Sequence, residues 1–488
     1  MARAGPAAAW RSWHRRLGVV AAMGALLWSV SGMLHPLLVR ATPEAANRAP
    51  PALAVERPTQ PLKSPAQLAA MAGIGQAVSF RLVALAGEPY YQVQAAPAAP
   101  PRYFHAARGH ELPDGDRRYA RALARHYLGD HAGPIQDIRR VEEFGGEYDA
   151  VNRVLPVYRV AFAGADNVRA YVDTVTSLNG ALVDDGKAIL DWLFRNLHKW
   201  DWLHGAEPLR LAVALALVMA ALVTAASGIV VYLKGAGGGR RWLRLWHRRV
   251  GLAASVVLLG FAASGGIHLV KMSVDGTAPS PVHRPDLSLG EMDSAPDAAM
   301  LAADFGLRAL ALVRVGDAYY YRVERVRDPG AGTGESPQPA THGHHGPSGG
   351  AGEVLYLAAH GSAVDARDHA LDVALAGTAL PSSRVAGVME VRDFGGEYGF
   401  VNKYLPVMRV DFDTPVRDAV YVHTASGRIA ARIDDADRVE GWLFAYVHKW
   451  DFLEPLGRDL RDGAMVLGAL LIAGVSILGM ALFLRSRV

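Results

Sequence analysis

Four stretches of the chain contain no Asp, Glu, Lys or Arg: Leu17 to Leu34, Leu211 to Leu233, Val250 to Val270 and Gly463 to Leu484. Each approaches the ~20 residues that a helix needs to cross a bilayer, so the pattern predicts four transmembrane helices. The two long segments between them alternate apolar and polar positions in short runs and read as α+β. The expected elements are a short helix near 64–72, strands at 78–85 and 88–95, a helix at 116–128, strands near 156–163 and 168–174, and hairpin turns at SLNG and ASGR. The Ala- and Pro-rich run 41–61 reads as linker. Residues 328–353, Gly-rich with His342, His344 and His345, read as a disordered insert.

The pattern occurs twice. HRRLGVVAAMGALLWSVSGMLH runs from His14 to His35, and HRRVGLAASVVLLGFAASGGIH runs from His247 to His268, the two histidines 21 residues apart in each. EFGGEYDAVNRVLPVYRV (143–160) returns as DFGGEYGFVNKYLPVMRV (393–410), and WLFRNLHKWDWL (192–203) as WLFAYVHKWDFL (442–453), both offset by 250. The fold class expected is therefore a membrane α-helical protein with four transmembrane helices, two α+β outer domains and an internal two-fold repeat. Its divisions are an N-terminus and first helix at 1–40, an outer domain at 41–207, a helix at 208–234 and a loop at 235–246. A helix at 247–271, a second outer domain at 272–458 and a helix at 459–488 follow.

Basic residues set the orientation. Arg11, Arg15 and Arg16, then Lys234, Arg240, Arg241, Arg244, Arg248 and Arg249, then Arg485 and Arg487 all fall on one side of the predicted spans. The expectation is a multi-pass protein of a bacterial inner membrane with both termini cytoplasmic and the outer domains periplasmic. The first apolar run is too long for a signal-peptide core and recurs at 250–270, so it reads as a retained helix. The net charge of +4 is largely this topological signal, which points to membrane lipid and not to nucleic acid as a partner. The chain has no cysteine, which excludes disulfides, thiolate zinc sites, iron–sulfur clusters and covalent c-type haem attachment. No G-x-S-x-G, H-E-x-x-H, phosphate loop or Rossmann fingerprint appears, and no catalytic residue is assigned.

Histidine in or near hydrocarbon is costly without a partner, so repeated histidines at helix ends are functional candidates. Twenty-one residues is three heptads, which returns both histidines of a helix to one face, about 31 Å apart along the axis. Pairing the two helices across a two-fold axis would bring His14 toward His247 and His35 toward His268, enough to ligate two haems. His198 and His448, in HKWD ahead of the second and fourth helices, leave four candidate ligands at one level: His35, His268, His198 and His448. Small residues beside these positions, among them Ser31, Gly32, Ser264 and Gly265, also suit ordinary close helix packing. Lys199, Lys449, Arg153 and Lys403 suit haem propionates or lipid phosphates equally. FGGEY reads as a turn feeding a strand.

At WHRRLG, WHRRVG and the two HKWD segments the chain resembles the PepSY-associated transmembrane family. The resemblance implies PepSY-like periplasmic domains between the helices. Through the family's iron-regulated members, it also implies haem b held by histidines in inner-membrane ferric-siderophore reductases. The family's helix-start histidine maps onto His14 and His247, and its histidine ahead of the return helix onto His198 and His448, where HKWD departs from the more usual His-Thr-Gly. The expected function is transfer of electrons through haem b from a cytoplasmic reductant or membrane quinol to a periplasmic acceptor such as a ferric siderophore. The alternative is a non-enzymatic regulatory or binding protein anchored by its helices.

Overall fold

The computed structural model describes residues 6–53, 60–234, 242–275, 286–296, 307–325, 353–358, 363–378, 380 and 383–485. The His/Gly-rich run 328–352 lies outside the described residues, and Glu353 already begins a strand. Nine α-helices are described: α1 Pro6–Arg40, α2 Pro65–Ala72, α3 Gly115–Leu128, α4 Asp185–Phe194, α5 Glu207–Leu233, α6 Trp242–Asp275, α7 Ala366–Gly377, α8 Asp435–Trp442 and α9 Arg458–Arg485. Of these, α1, α5, α6 and α9 are long and apolar enough to cross a membrane. The chain is a multi-pass membrane protein with α+β domains. It divides into a helical unit (1–42, 186–277, 436–488) and a β-rich unit (43–185, 278–435).

In the helical unit α1 packs on α5 and α9, and α6 packs on the same two helices. The repeated helices α1 and α6 thus occupy opposite corners of a four-helix ring. Small residues let the backbones approach: Ala21, Ala22 and Ala25 on α1, and Ala220, Ala221 and Ala225 on α5, are all buried. The segments carrying HKWD group with the helices in this unit. The reason is chemical: α4 and α8 continue into apolar WLF segments whose aromatic rings stack on histidines of this unit. Helix α6 also starts at Trp242, several residues before the expected 247.

The β-rich unit is one body built from both copies, where the sequence suggests two separate domains. Each copy contributes three strands, Ser79–Leu85, Glu88–Gln94 and Arg102–His105 from the first and Leu307–Val315, Ala318–Arg325 and Glu353–Ala358 from the second. They join where Ser79–Leu85 pairs antiparallel with Leu307–Val315, with Leu82 opposite Leu310, giving one six-stranded sheet. Each half-sheet thereby covers an edge that the other would leave open. Each copy adds a four-stranded meander: Ile135–Val141, Val157–Phe162, Arg169–Asp173 and Leu178–Val183, then Val385–Val391, Val407–Phe412, Ala419–His423 and Arg428–Ile433. Helix α3 packs Tyr119, Ala120, Leu123, Ala124 and Tyr127 into the core over the first meander, the i, i+3/i+4 spacing of an amphipathic helix. Helix α7 does the same over the second with Ala370, Val373 and Ala374.

Residues 41–53, expected as linker, are tied down. Ala46 N–H donates to the Tyr127 carbonyl at 2.8 Å, Asn47 Nδ2 donates to the His126 carbonyl at 2.7 Å, and Leu53 is buried. Pro-rich composition marked an extended segment here, not a free one.

Two buried histidines of the second copy give the β-rich unit a pH dependence. His369 Nδ1 lies 3.1 Å from the Tyr356 hydroxyl and His423 Nδ1 2.8 Å from Ser426 Oγ. Burial, reinforced by the nearby Arg322 guanidinium, lowers each pKa to about 3. Both are therefore neutral in the folded state well below the ~6.5 at which the unfolded chain takes up protons. Stability should be level above pH 6.5 and fall as pH drops from there toward 3, by at most about 1.4 kcal/mol per pH unit for each histidine. Melting temperatures of the detergent-solubilised protein across this range check the slope, which His369→Gln or His423→Gln should each reduce by at most about 1.4 kcal/mol per pH unit.

Candidate haem sites

The six sequence-selected histidines fall into two groups, both within the helical unit. His14 and His247, near the N-terminal ends of α1 and α6, have ring centroids 6.2 Å apart with planes inclined by 59°. Both rings are half-buried. His14 Nδ1 lies 3.0 Å from the Thr224 carbonyl and 3.2 Å from Ser227 Oγ on α5. A carbonyl can only accept, so Nδ1 carries the proton and Nε2 keeps its lone pair. The equivalent Nδ1 of His247 is buried toward the Val475 carbonyl of α9, without a hydrogen bond of standard geometry. Glycine makes the room: a Cβ at Gly228 would stand 3.1 Å from Cε1 of His14, and one at Gly479 3.3 Å from Cε1 of His247.

The second group holds His198, His448, His35 and His268. α4 and α8 each run into a π-helical turn, Arg195–Lys199 and Leu443–His448, and these widened turns carry His198 and His448. Trp200 and Trp450 follow with φ of +55° and +56°, a conformation unusual for a bulky residue. Stacking holds them there, Trp200 on Trp28 at 5.5 Å and 4°, and Trp450 on Phe261 at 5.5 Å and 28°. This is the physical content of HKWD in both copies.

Serine fixes the tautomer of these two histidines. Ser31 Oγ donates to the Leu27 carbonyl at 2.7 Å, so His198 Nδ1, 2.9 Å away, donates to Ser31 Oγ. Ser264 Oγ donates to the Gly260 carbonyl at 2.7 Å, so His448 Nδ1, 3.1 Å away, donates to Ser264 Oγ. Both rings therefore keep an unprotonated Nε2. Burial pushes their pKa values down; His448 and then His35 add to the effect on His198, and His268 and Lys449 to that on His448. Neutral imidazole is the form a metal needs.

The helix-end histidines are held apart from their neighbours by phenylalanine. Phe194 stacks on His198 at 4.7 Å and meets His35 at 6.0 Å. Phe444 stacks on His448 at 4.9 Å and on His268 at 4.2 Å. Within one copy the two histidines thus flank a ring and cannot grip one metal between them. His35 is exposed, while His268 Nδ1 pairs with Glu440 Oε1 at 2.7 Å. His204 is exposed beside Glu207 and joins neither group.

Among the described residues no cluster of three His, Cys, Asp or Glu side chains could hold a bare metal ion. Paired imidazoles fit a metal whose other donors come from a macrocycle. The 6.2 Å between the His14 and His247 ring centroids brings imidazoles from two separate helices to one level, where they would hold such a group.

Arg153 and Lys403, candidates for propionates, instead join the two copies of the β-rich unit: Arg153 Nη1 donates to Asn402 Oδ1, and Lys403 Nζ to the Gly180 carbonyl. FGGEY forms a turn closed by mutual Gly145–Tyr148 and Gly395–Tyr398 backbone hydrogen bonds, with Gly146 and Gly396 at φ +56°. Burial works against the Glu147 carboxylate, but hydrogen bonds from Arg169, Tyr171 and Arg159 hold its pKa at about 2. Sequence reading passed over Thr224, Ser227, Gly228 and Gly479. The signal was there, since the glycines sit 251 residues apart on the return helices.

This architecture, four spanning helices with repeated α+β segments between them, is that of a multi-pass membrane protein with an internal repeat. The profile of the PepSY-associated TM region family matches residues 68–486, and the chain belongs to that family. No curated protein matches the chain.

Proposed function

We propose that this protein is a membrane haem b protein that carries electrons across a bacterial inner membrane to a periplasmic acceptor, a ferric siderophore fitting the family resemblance best. The observation that carries the reading is the His14–His247 pair, two half-buried imidazoles that approach each other from separate helices, one with its Nδ1 hydrogen-bonded away. Haem would supply one-electron chemistry when bound. The chain's own contribution is to hold neutral imidazoles, fix their tautomer through Thr224, Ser31 and Ser264, and surround them with apolar helix. A second level at His198 and His448 supports two haems. Ser31 lies 17 residues from His14 on α1, about 26 Å along the axis. Trp28 and Trp200 stack one turn closer to the His14 level, shortening the gap between aromatic groups.

Orientation rests on the basic residues at 11–16, 234–249 and 485–487, which favour cytoplasmic termini. One experiment with two arms tests the reading. Purified protein should be coloured, show a b-type reduced spectrum with dithionite and yield its pigment to acid–acetone, and a reporter fused at residue 100 should be active only if it works in the periplasm. Colourless protein from haem-replete cells that binds no haem on reconstitution overturns the haem assignment; a reporter active only in the cytoplasm reverses the electron path.

A further inference from the structure

The strand Ile135–Val141 closes one end of its four-stranded meander and pairs on one side only, with Val157–Phe162. Its other edge carries backbone donors and acceptors without a ladder partner among the described residues. Two grooves of about 350 Å³ each border this strand. The first lies between the start of the strand and α3, lined by Arg117, Arg121 and Arg125. These three guanidiniums repeat every four residues along one exposed face and make no hydrogen bond or ion pair with a described residue. The second groove lies along the far half of the strand and is lined by Arg139 and Arg159 with Tyr148 and Tyr171. Carboxylates are present too: Asp137 is 3.7 Å from Arg159, Glu142 pairs with Arg140, and Glu147 is held by Arg169. Asp137 also lines the first groove, so one carboxylate faces the three guanidiniums of Arg117, Arg121 and Arg125 there.

A basic helix face is ordinarily just a solvated surface. The internal repeat supplies the comparison that decides otherwise. Position for position, 250 residues on, Leu371 stands for Arg121, Leu375 for Arg125, Met389 for Arg139 and Glu390 for Arg140. The second copy builds the same helix over the same meander, with Ala370, Val373 and Ala374 buried as Ala120, Leu123 and Ala124 are. The fold therefore does not require Arg121, Arg125 or Arg139, whereas Arg117 and Arg159 recur as Arg367 and Arg409.

We propose that the edge of Ile135–Val141 binds an extended acidic peptide as an added strand. Side chains of an added strand alternate between the two faces of the sheet. Here one face meets the α3 arginines and the other meets Arg139 and Arg159, so carboxylates on both faces find guanidinium partners while the backbone completes the ladder. This inference is independent of the haem reading.

The full-length protein in detergent micelles is titrated into a short fluorescent peptide alternating Glu and Val. Saturable binding is expected that weakens with salt, drops at least about tenfold for the Lys–Val peptide and is lost when proline interrupts the peptide's centre. The triple variant Arg121→Leu/Arg125→Leu/Arg139→Met, which adopts the second copy's residues, should melt at the parent temperature and bind at least about tenfold more weakly. Absence of saturable binding, or equal binding of the proline peptide, overturns the strand-addition site. So does equal binding by a folded triple variant. Anionic phospholipid vesicles that bind the parent protein while the peptide does not would assign the arginines to lipid and overturn it as well.

Discussion

His14→Ala and His247→Ala are each expected to purify with about half the haem of the parent protein and to lose one of two reduced b-type bands. The argument is one of coordination. Each imidazole sits on a different helix at opposite corners of the ring, so removing either leaves a single imidazole at this level. The remaining level, on the π-helical turns, should keep its spectrum. Because alanine also opens a small cavity between helices, a second variant separates ligation from packing. Gly228→Val keeps both histidines, but its Cβ would stand 3.1 Å from Cε1 of His14, and the valine branches add to that crowding. It should tilt the ring and lower haem retention without lowering the melting temperature of the β-rich unit. Reduction by a cytoplasmic donor should stop in all three. Full haem content with unchanged spectra in His14→Ala and His247→Ala would make these histidines structural and remove the first level altogether.

How much of this could be read from residues alone differs by element. The spans were plain, because a charge-free run near 20 residues has few other uses. The repeat was plain as well, and it placed all six histidines before any geometry was known. The fusion of the two half-sheets was not legible. It depends on pairing Leu82 with Leu310, more than 200 residues apart, and an edge strand carries no mark of its partner. Ile135–Val141 was missed because Asp137, Arg139 and Arg140 break its apolar alternation, as an edge strand's exposure allows. The first hairpin turn falls at Thr174–Ser177, ahead of the expected SLNG, since Ser177 takes the φ +63° position that Gly427 fills in the second copy. Hydrogen bonds from Arg81 and with Tyr119 support that serine, so no glycine signal was needed.

The histidine groups show the same division. Spacing alone predicted two levels about 31 Å apart with His35 and His268 as natural partners. What the spacing could not show is the ring between neighbours. Phe194 and Phe444 separate the helix-end histidines from those on the π-helical turns, and neither phenylalanine is distinguishable in sequence from an ordinary apolar contact. Ser31 and Ser264 read equally well as packing residues until their hydroxyls are seen to fix a tautomer.

That distinction sets the second large effect, at the other level. His198→Ala and His448→Ala should each remove the second haem and leave the His14 level spectrally intact, whereas His35→Ala and His268→Ala should retain haem content. His198 and His448 hold Nδ1 on a serine that is itself anchored to a backbone carbonyl, so each presents Nε2 as a fixed, neutral donor. His35 makes no such contact, and His268 spends Nδ1 on Glu440, a pairing absent from the first copy, where Leu190 stands at the corresponding position. Ser31→Ala and Ser264→Ala test the tautomer directly. They keep every imidazole but leave a buried Nδ1–H without its acceptor, and loss of such an outer partner weakens retention about 10–100-fold. Haem per protein and low-temperature spectra across the six variants decide the assignment. If His35→Ala and His268→Ala lose the second haem while His198→Ala and His448→Ala keep it, the helix-end histidines are the ligands and the serines serve only to pack the turns.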